Sequence, residues 1–265
     1  RGYQSVNYSI ILDDRNIVYS GNANGILEYD GKSWNFISVR QGAYVTSMAK
    51  DPTGTVFIGS QNEFGYLAPD PAGNLIYLSL SDSLPEEEHF FTTIWKTYAG
   101  MDKIYFQAEE NIFIFDGNNI ITVYPETSFH TSFLVRGKYY VRERNIGLMD
   151  YTTGKPVPIP GGEYFANLGI FAMLPVTGSE NIFIATQEKG FFLFNPSETK
   201  TPLVPLKTKN DAFIIKAAIF GGLALSDGNW AFNTLNEGII ITDQKGNIVN
   251  VINSRSGLAV NDVKQ

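Results

Sequence analysis

The stretch Asn22–Trp34, NANGILEYDGKSW, decides the fold. Its short β-prone run, Ile26-Leu27-Glu28-Tyr29, ends in Asp30-Gly31, a pair that closes tight hairpins. Close variants return as NIFIFDGNN at Asn111–Asn119, GFFLFNPSE at Gly190–Glu198 and GIIITDQKGN at Gly238–Asn247. A second apolar run precedes each hairpin phrase. These runs are Ile17-Val18-Tyr19, Val56-Phe57-Ile58, Ile104-Tyr105-Phe106, Tyr139-Tyr140-Val141, Ile182-Phe183-Ile184 and Trp230-Ala231-Phe232. They recur after 39, 48, 35, 43 and 48 residues. The residue opening the following strand (Gly25, Gly65, Asn111, Gly147, Gly190, Gly238) comes 8, 9, 7, 8, 8 and 8 residues after each start. A near-constant offset inside a variable period describes one rigid hairpin repeated six times and joined by unequal loops. Gly and Asn at the opening position predict a positive φ there.

Further strands flank each hairpin. YSIILDD (Tyr8), VTSMAKD (Val45) and TIWKTYA (Thr93) lie upstream; SWNFISV (Ser33), LIYLSL (Leu75), IITVYP (Ile120) and IVNVIN (Ile248) lie downstream. Four strands, A to D, repeating at this period indicate an all-β propeller of four-stranded blades; a β-sandwich would not keep the cycle. The repeats fall near 5–44, 45–92, 93–130, 131–168, 169–212 and 213–256, within a single domain covering 1–265 or most of one. Helical periodicity is almost absent, apart from a helical turn expected near 86–90. The register aligns Tyr19, Phe57, Tyr105, Tyr140, Phe183 and Ala231, which predicts at least five B strands covered on both faces.

Composition narrows the function. The 265 residues are 43% hydrophobic and 18% charged, a folding composition. A net charge of -7 without a basic cluster argues against nucleic-acid binding. With no cysteine, disulfides and thiolate chemistry are excluded. His89 and His130 have no second histidine at ligand spacing, so neither a metal nor any other cofactor is expected. Arg1-Gly2-Tyr3-Gln4 is no signal peptide, and no 18-residue apolar run spans a membrane. Phosphate-loop and GxSxG patterns are absent. The carboxylate runs Glu86-Glu87-Glu88 and Glu109-Glu110 read as solvated loops, so no catalytic residue is assigned.

The repeat phrases VTSMAKDPTGTVFIGSQNEFGYLAPD and SDGNWAFNTLNEGIIITD resemble the two-component regulator propeller repeats. Those repeats build the extracytoplasmic sensor regions of bacterial hybrid two-component systems and of three-Tyr, helix-turn-helix regulators. The fourth repeat, KYYVRERNIGLMDY, departs from the pattern, with Arg142 and Glu143 replacing a small pair. Ser256–Gln265, SGLAVNDVKQ, resembles the lead into a seventh repeat. The resemblance implies a periplasmic or extracytoplasmic, ligand-sensing and non-enzymatic role. It further implies an oligosaccharide or other small polar ligand, further domains on the same polypeptide, and signalling that includes a homodimer. A secretion-associated scaffold and a carbohydrate-active enzyme are the alternatives.

Propeller geometry puts the B–C and D–A loops on one face. The B–C loops are polar in every repeat, and Gln61, Asn62, Glu63, Glu109, Glu110, Arg142, Arg144, Lys189 and Glu237 are the candidate ligand contacts. Arg142 and Arg144, two apart on a strand, offer forked donors for a carboxylated or sulfated group, or else a surface ion-pair cluster with Glu109 and Glu110. The D–A loops add Tyr44, Phe90-Phe91, Phe129 and Tyr164-Phe165 as blade caps or sugar-stacking rings.

Overall fold

Hairpin register generates the architecture. Tyr19 pairs with Glu28, Tyr105 with Ile114, Tyr140 with Asp150, Phe183 with Leu193 and Ala231 with Ile241. In each case the partner lies three residues after the expected opening residue. The second hairpin is the exception, because Phe57 pairs with Tyr66 and Ser60 with Glu63. The opening position there is Glu63, not Gly65. Gly65 has another role: a Cβ on it would lie 2.1 Å from the Leu78 carbonyl oxygen, so only glycine lets the next strand approach. The expected positive φ holds at Gly25, Gly147, Gly190 and Gly238 but not at Gly65 or Asn111.

The computed structural model describes residues 6–40 and 43–263; the first residue of the first repeat and the last two of the tail lie outside them. Six antiparallel sheets follow in chain order. The first holds β1 (Asn7–Leu12), β2 (Val18–Asn22), β3 (Gly25–Tyr29) and β4 (Trp34–Ile37). The second holds β5 (Val45–Lys50), β6 (Val56–Ser60), β7 (Glu63–Pro69) and β8 (Leu75–Ser79). The third holds β9 (Lys96–Ala99), β10 (Ile104–Gln107), β11 (Ile112–Phe115) and β12 (Ile120–Val123). The fourth holds β13 (Phe129–Val135), β14 (Lys138–Glu143), β15 (Gly147–Asp150) and β16 (Val157–Pro158). The fifth holds β17 (Ile170–Pro175), β18 (Ile182–Thr186), β19 (Phe191–Phe194) and β20 (Leu203–Leu206). The sixth holds β21 (Ile219–Ala224), β22 (Trp230–Thr234), β23 (Ile239–Thr242) and β24 (Ile248–Ile252). These are six four-stranded blades of a β-propeller; the described residues contain no seventh. They pack as two compact halves, Arg1–Ser132 and Phe133–Gln265, each with three blades, and β13 crosses the boundary.

Apolar clusters lie between successive sheets within each half. One joins the first and second sheets through Tyr19, Ile26, Val45 and Ile58, and another joins the second and third through Phe57, Phe64, Phe106 and Phe113. In the other half, Tyr140, Ile184 and Phe192 fill the gap between the fourth and fifth sheets, and Phe183, Trp230 and Phe232 that between the fifth and sixth. Residues of β2, β6, β10, β14 and β18 are buried along nearly the whole length of each strand, whereas β22 alternates.

The connectors hold what periodicity could not reveal. A 3-10 turn at Glu86–Glu88 matches the expected helical turn. Helix α1 (Asp211–Ala217) was not expected; it buries only Ile214 and Ala217, and seven residues are too few for a periodic signal. Hairpin turns are closed by aspartates. Asp70 Oδ1 accepts from the backbone of Ala72 and Asn74, and Asp116 Oδ1 from Asn118 and Asn119.

Two measurements check this account. Phe183 is fully buried, its ring centroid 4.2 Å from that of Trp230 and 4.5 Å from that of Phe191. Phe183→Ala will cost about 3–5 kcal/mol in urea unfolding; a loss under about 1 kcal/mol would contradict the packing. The second concerns acid. Backbone donors of Ser33, Asn74 and Asn119 hold the carboxyls of Asp30, Asp70 and Asp116 below the ordinary aspartate value. A depressed folded-state pKa adds stability above the unfolded-state value, and that stability is lost as pH falls through the folded-state one. Thermal melts from pH 6 down to 3 will show a smaller decline for the triple variant Asp30→Asn, Asp70→Asn, Asp116→Asn than for the parent.

Candidate functional site

In the N-terminal half, the B–C turn of the second blade meets the connector that leads into β9. Asn62 adopts a left-handed φ of 51°, which asparagine tolerates. Its backbone N–H donates to the Thr92 carbonyl at 2.6 Å, and Ile94 N–H donates to the Ser60 carbonyl at 3.0 Å. With Nδ2 turned toward the connector, the Asn62 amide donates to the carbonyls of Phe91 (2.6 Å) and Thr92 (2.9 Å). The two loops therefore form one surface, as propeller geometry predicted.

A cavity of about 500 Å³ opens there. Asn62, Thr92 and Glu110 supply polar groups, Arg40 and His89 supply nitrogen, and Phe90 and Phe91 supply rings. Phe91 is buried against Phe64 and Phe113, while Phe90 is 79% exposed. Glu110 Oε1 accepts from Thr92 Oγ1 at 3.0 Å. His89 Nε2 lies 3.0 Å from the Leu84 carbonyl oxygen.

Glu63 lies behind the cavity wall and is fully buried. Its Oε1 accepts from Tyr77 (2.9 Å), Ser79 (2.7 Å) and Ser81 (2.5 Å). Its Oε2 lies 2.6 Å from Arg40 Nε in an ion pair whose angles do not make a hydrogen bond. Arg40 Nη2 donates to Asp82. The bond to Asp82, reinforced by the charge of Glu63, raises the Arg40 pKa against the opposing effect of burial. Burial, with the Glu63 charge beside it, pushes the Tyr77 phenol up as well. A buried carboxylate is costly unless donors surround it, and these donors fix the connector and the Arg40 head group together.

The sequence-selected residues divide between the halves. In the N-terminal half, Asn62 and Glu110 line the cavity, Gln61 bridges to Thr93, Glu63 is buried and Glu109 is exposed. In the C-terminal half, Arg142 is buried, with Nε donating to the Phe165 carbonyl (2.9 Å) and Nη2 to that of Ala166 (2.6 Å). Burial and the nearby Arg144 charge lower its pKa. Arg144 and Lys189 are exposed, and Glu237 pairs with Lys216 at 2.7 Å. Sequence reasoning missed Arg40 and Asp82, which lie in D–A connectors where only aromatic candidates were sought. The aromatic pairs split alike: Phe91 and Phe165 are buried, Phe90 and Tyr164 exposed. Among the described residues no three His, Asp or Glu side chains cluster to hold a metal.

No protein-family model and no curated protein matches this sequence. Solved structures do match in fold. The extracellular domain of a protein described as a hybrid two-component system, BT4673 of B. thetaiotaomicron, superposes with a TM-score of 0.70 at 17% identity, over 99% of this chain and 36% of that one. The corresponding domain of BT3049 from the same organism gives a TM-score of 0.52 at 15% identity, over 97% and 36%. The WD40 propeller of Doa1 gives 0.68 at 10% identity, over 95% and 84%. This chain thus spans about a third of the two bacterial domains. At these identities the likeness establishes the propeller fold.

The bonds of Arg142 yield a prediction. Arg142→Ala removes two hydrogen bonds to the carbonyls of Phe165 and Ala166, which keep backbone donors from Leu168 and Asn145, and will cost about 1–3 kcal/mol, while Arg144→Ala stays within about 0.5 kcal/mol. Urea unfolding of the two variants separates a loop-holding arginine from a surface one.

Proposed function

We propose that this chain is the ligand-sensing propeller of an extracytoplasmic bacterial signalling protein, and that its ligand is an oligosaccharide fragment. The single observation that carries the reading is the cavity at the second and third blades, where an exposed Phe90 stands over a polar rim of Asn62, Thr92 and Glu110. A flat apolar ring flanked by hydrogen-bonding groups suits a sugar, whose axial hydrogens stack on the ring while its hydroxyls reach the rim. The fold shared with the extracellular domains of proteins described as hybrid two-component systems supports the sensing role. Among the described residues no helix is long and apolar enough to cross a membrane, so the signal would pass to further domains of the polypeptide or through pairing of two copies. The propeller would be seven-bladed, with a further repeat continuing from the tail.

The role is binding without turnover. The buried charges behind the cavity wall, Glu63 and its partners, are spent on the scaffold. Titration calorimetry against an oligosaccharide panel, with product analysis, tests this. Phe90→Ala with Glu110→Gln will weaken binding at least about tenfold with unfolding stability within about 0.5 kcal/mol of the parent. Cleavage of any bound oligosaccharide would replace the sensor with an enzyme, and a silent panel would remove the glycan.

A further inference from the structure

The sixth sheet has one covered face and one uncovered face. Trp230, Phe232 and Ile240 are buried on the side of the fifth sheet. The alternate residues Ala231, Asn233, Ile239 and Ile241 are only half-buried, and Leu223 beside them is 56% exposed. Register shows what this face corresponds to. Leu223 pairs with Ala231 and Ala231 with Ile241, as Leu174 pairs with Phe183 and Phe183 with Leu193 in the fifth sheet. There Leu174 and Phe183 are sealed by the sheet that follows. The sixth sheet thus presents to solvent the face that the fifth uses to hold its successor. Its two cross-strand rows, Leu223–Ala231–Ile241–Asn250 and Gly221–Asn233–Ile239–Ile252, carry no charge.

The tail supplies an independent observation. Val263 N–H donates to the Thr234 carbonyl at 2.9 Å, and Asn233 Nδ2 donates to the Val263 carbonyl at 3.0 Å. In the second blade, Ile94 N–H donates in the same way to the Ser60 carbonyl. Thr234 and Ser60 both end B strands, and after Ile94 the chain enters β9, the A strand of the next sheet. The tail is therefore tied to the edge of the uncovered face, at the place where an A strand would begin.

We propose that the face formed by Leu223, Ala231, Ile239, Ile241 and Ile252 docks a further four-stranded sheet of the same polypeptide, with its A strand continuing from Val263. This rests on the reading that a seventh repeat follows. The occupant brings bulky apolar side chains, because Ala231 stands where the fifth sheet has Phe183. The first sheet has an uncovered row of its own: Leu12, paired to Val18, Tyr29 and Trp34 in turn, is 55% exposed and Trp34 58%.

Hydroxyl-radical footprinting of the 265-residue chain and of the native polypeptide tests the docking. Leu223 and Ile241 will react in the 265-residue chain and lose at least about tenfold of that reactivity in the native polypeptide, while Phe232 stays protected in both. Equal reactivity in the two overturns the proposal while leaving a seventh repeat possible elsewhere. A native intact mass with no room for about 40 more residues overturns both readings. Protection in the 265-residue chain that grows with concentration, alongside a dimer in ultracentrifugation, assigns the face to a second copy and also overturns it. Leu223→Lys with Ile241→Lys will leave the melting temperature of the 265-residue chain unchanged and lower that of the native polypeptide; equal effects in both count against docking.

Discussion

The fold depends on face-to-face packing of twisted sheets. An inner strand flanked by a sheet on either side has no solvent face, so its residues must be apolar or internally satisfied at every position. This is why β6 and β18 open on continuous apolar runs, Val56-Phe57-Ile58 and Ile182-Phe183-Ile184, and not on alternating ones. It is also why hairpin length is held so closely. A one-residue slip would turn Phe183 away from Trp230 and carry every neighbour on the strand to the wrong face. Connectors carry no such constraint, and the repeat period varies accordingly.

The same packing explains the use of charge at the loop end. Glu63 and Arg142 both stand near B–C turns, and both are buried. Each binds the connector that follows its own blade, Glu63 through Ser81, Arg142 through the carbonyls of Phe165 and Ala166. A charge taken out of water is tolerated only where fixed dipoles replace its hydration. These two are therefore parts of the frame. Under the proposed function, the groups left to meet a ligand are exposed Phe90 and half-buried Glu110 in one half, and exposed Tyr164 and Lys189 in the other.

The six repeats, their strand order and the buried column were legible in the sequence because packing imposes a fixed period on them. The second hairpin was misread by two residues. Gly65 was expected at this opening, whereas the structure places Glu63 there and keeps Gly65 for close approach of β8. A sequence cannot show that a carboxylate at a glycine position has three hydroxyl donors waiting 14 to 18 residues downstream. Nor could it show that Arg40 reaches that carboxylate from the preceding connector, because no local pattern links the two. Polar candidates came from the B–C loops and only aromatic ones from the D–A loops, whereas the cavity also draws polar groups, Arg40 and Thr92, from the D–A connectors.

The paired aromatics show how one connector serves structure and recognition together. In Phe90-Phe91 and in Tyr164-Phe165 the second ring is buried and the first exposed. Phe90-Phe91 follows a 3-10 turn and Tyr164-Phe165 lies within one, and in both places anchoring the second ring in the interblade cluster leaves its neighbour facing outward. Phe91 packs on Phe64 and Phe113, which fixes the backbone from which Phe90 projects. An exposed ring held this way loses little freedom on meeting a ligand, because the entropy of ordering its backbone was already spent in folding. Under the proposed function, binding at this rim is therefore coupled to core packing. A substitution that loosens Phe91 would weaken recognition at Phe90 without touching the ligand.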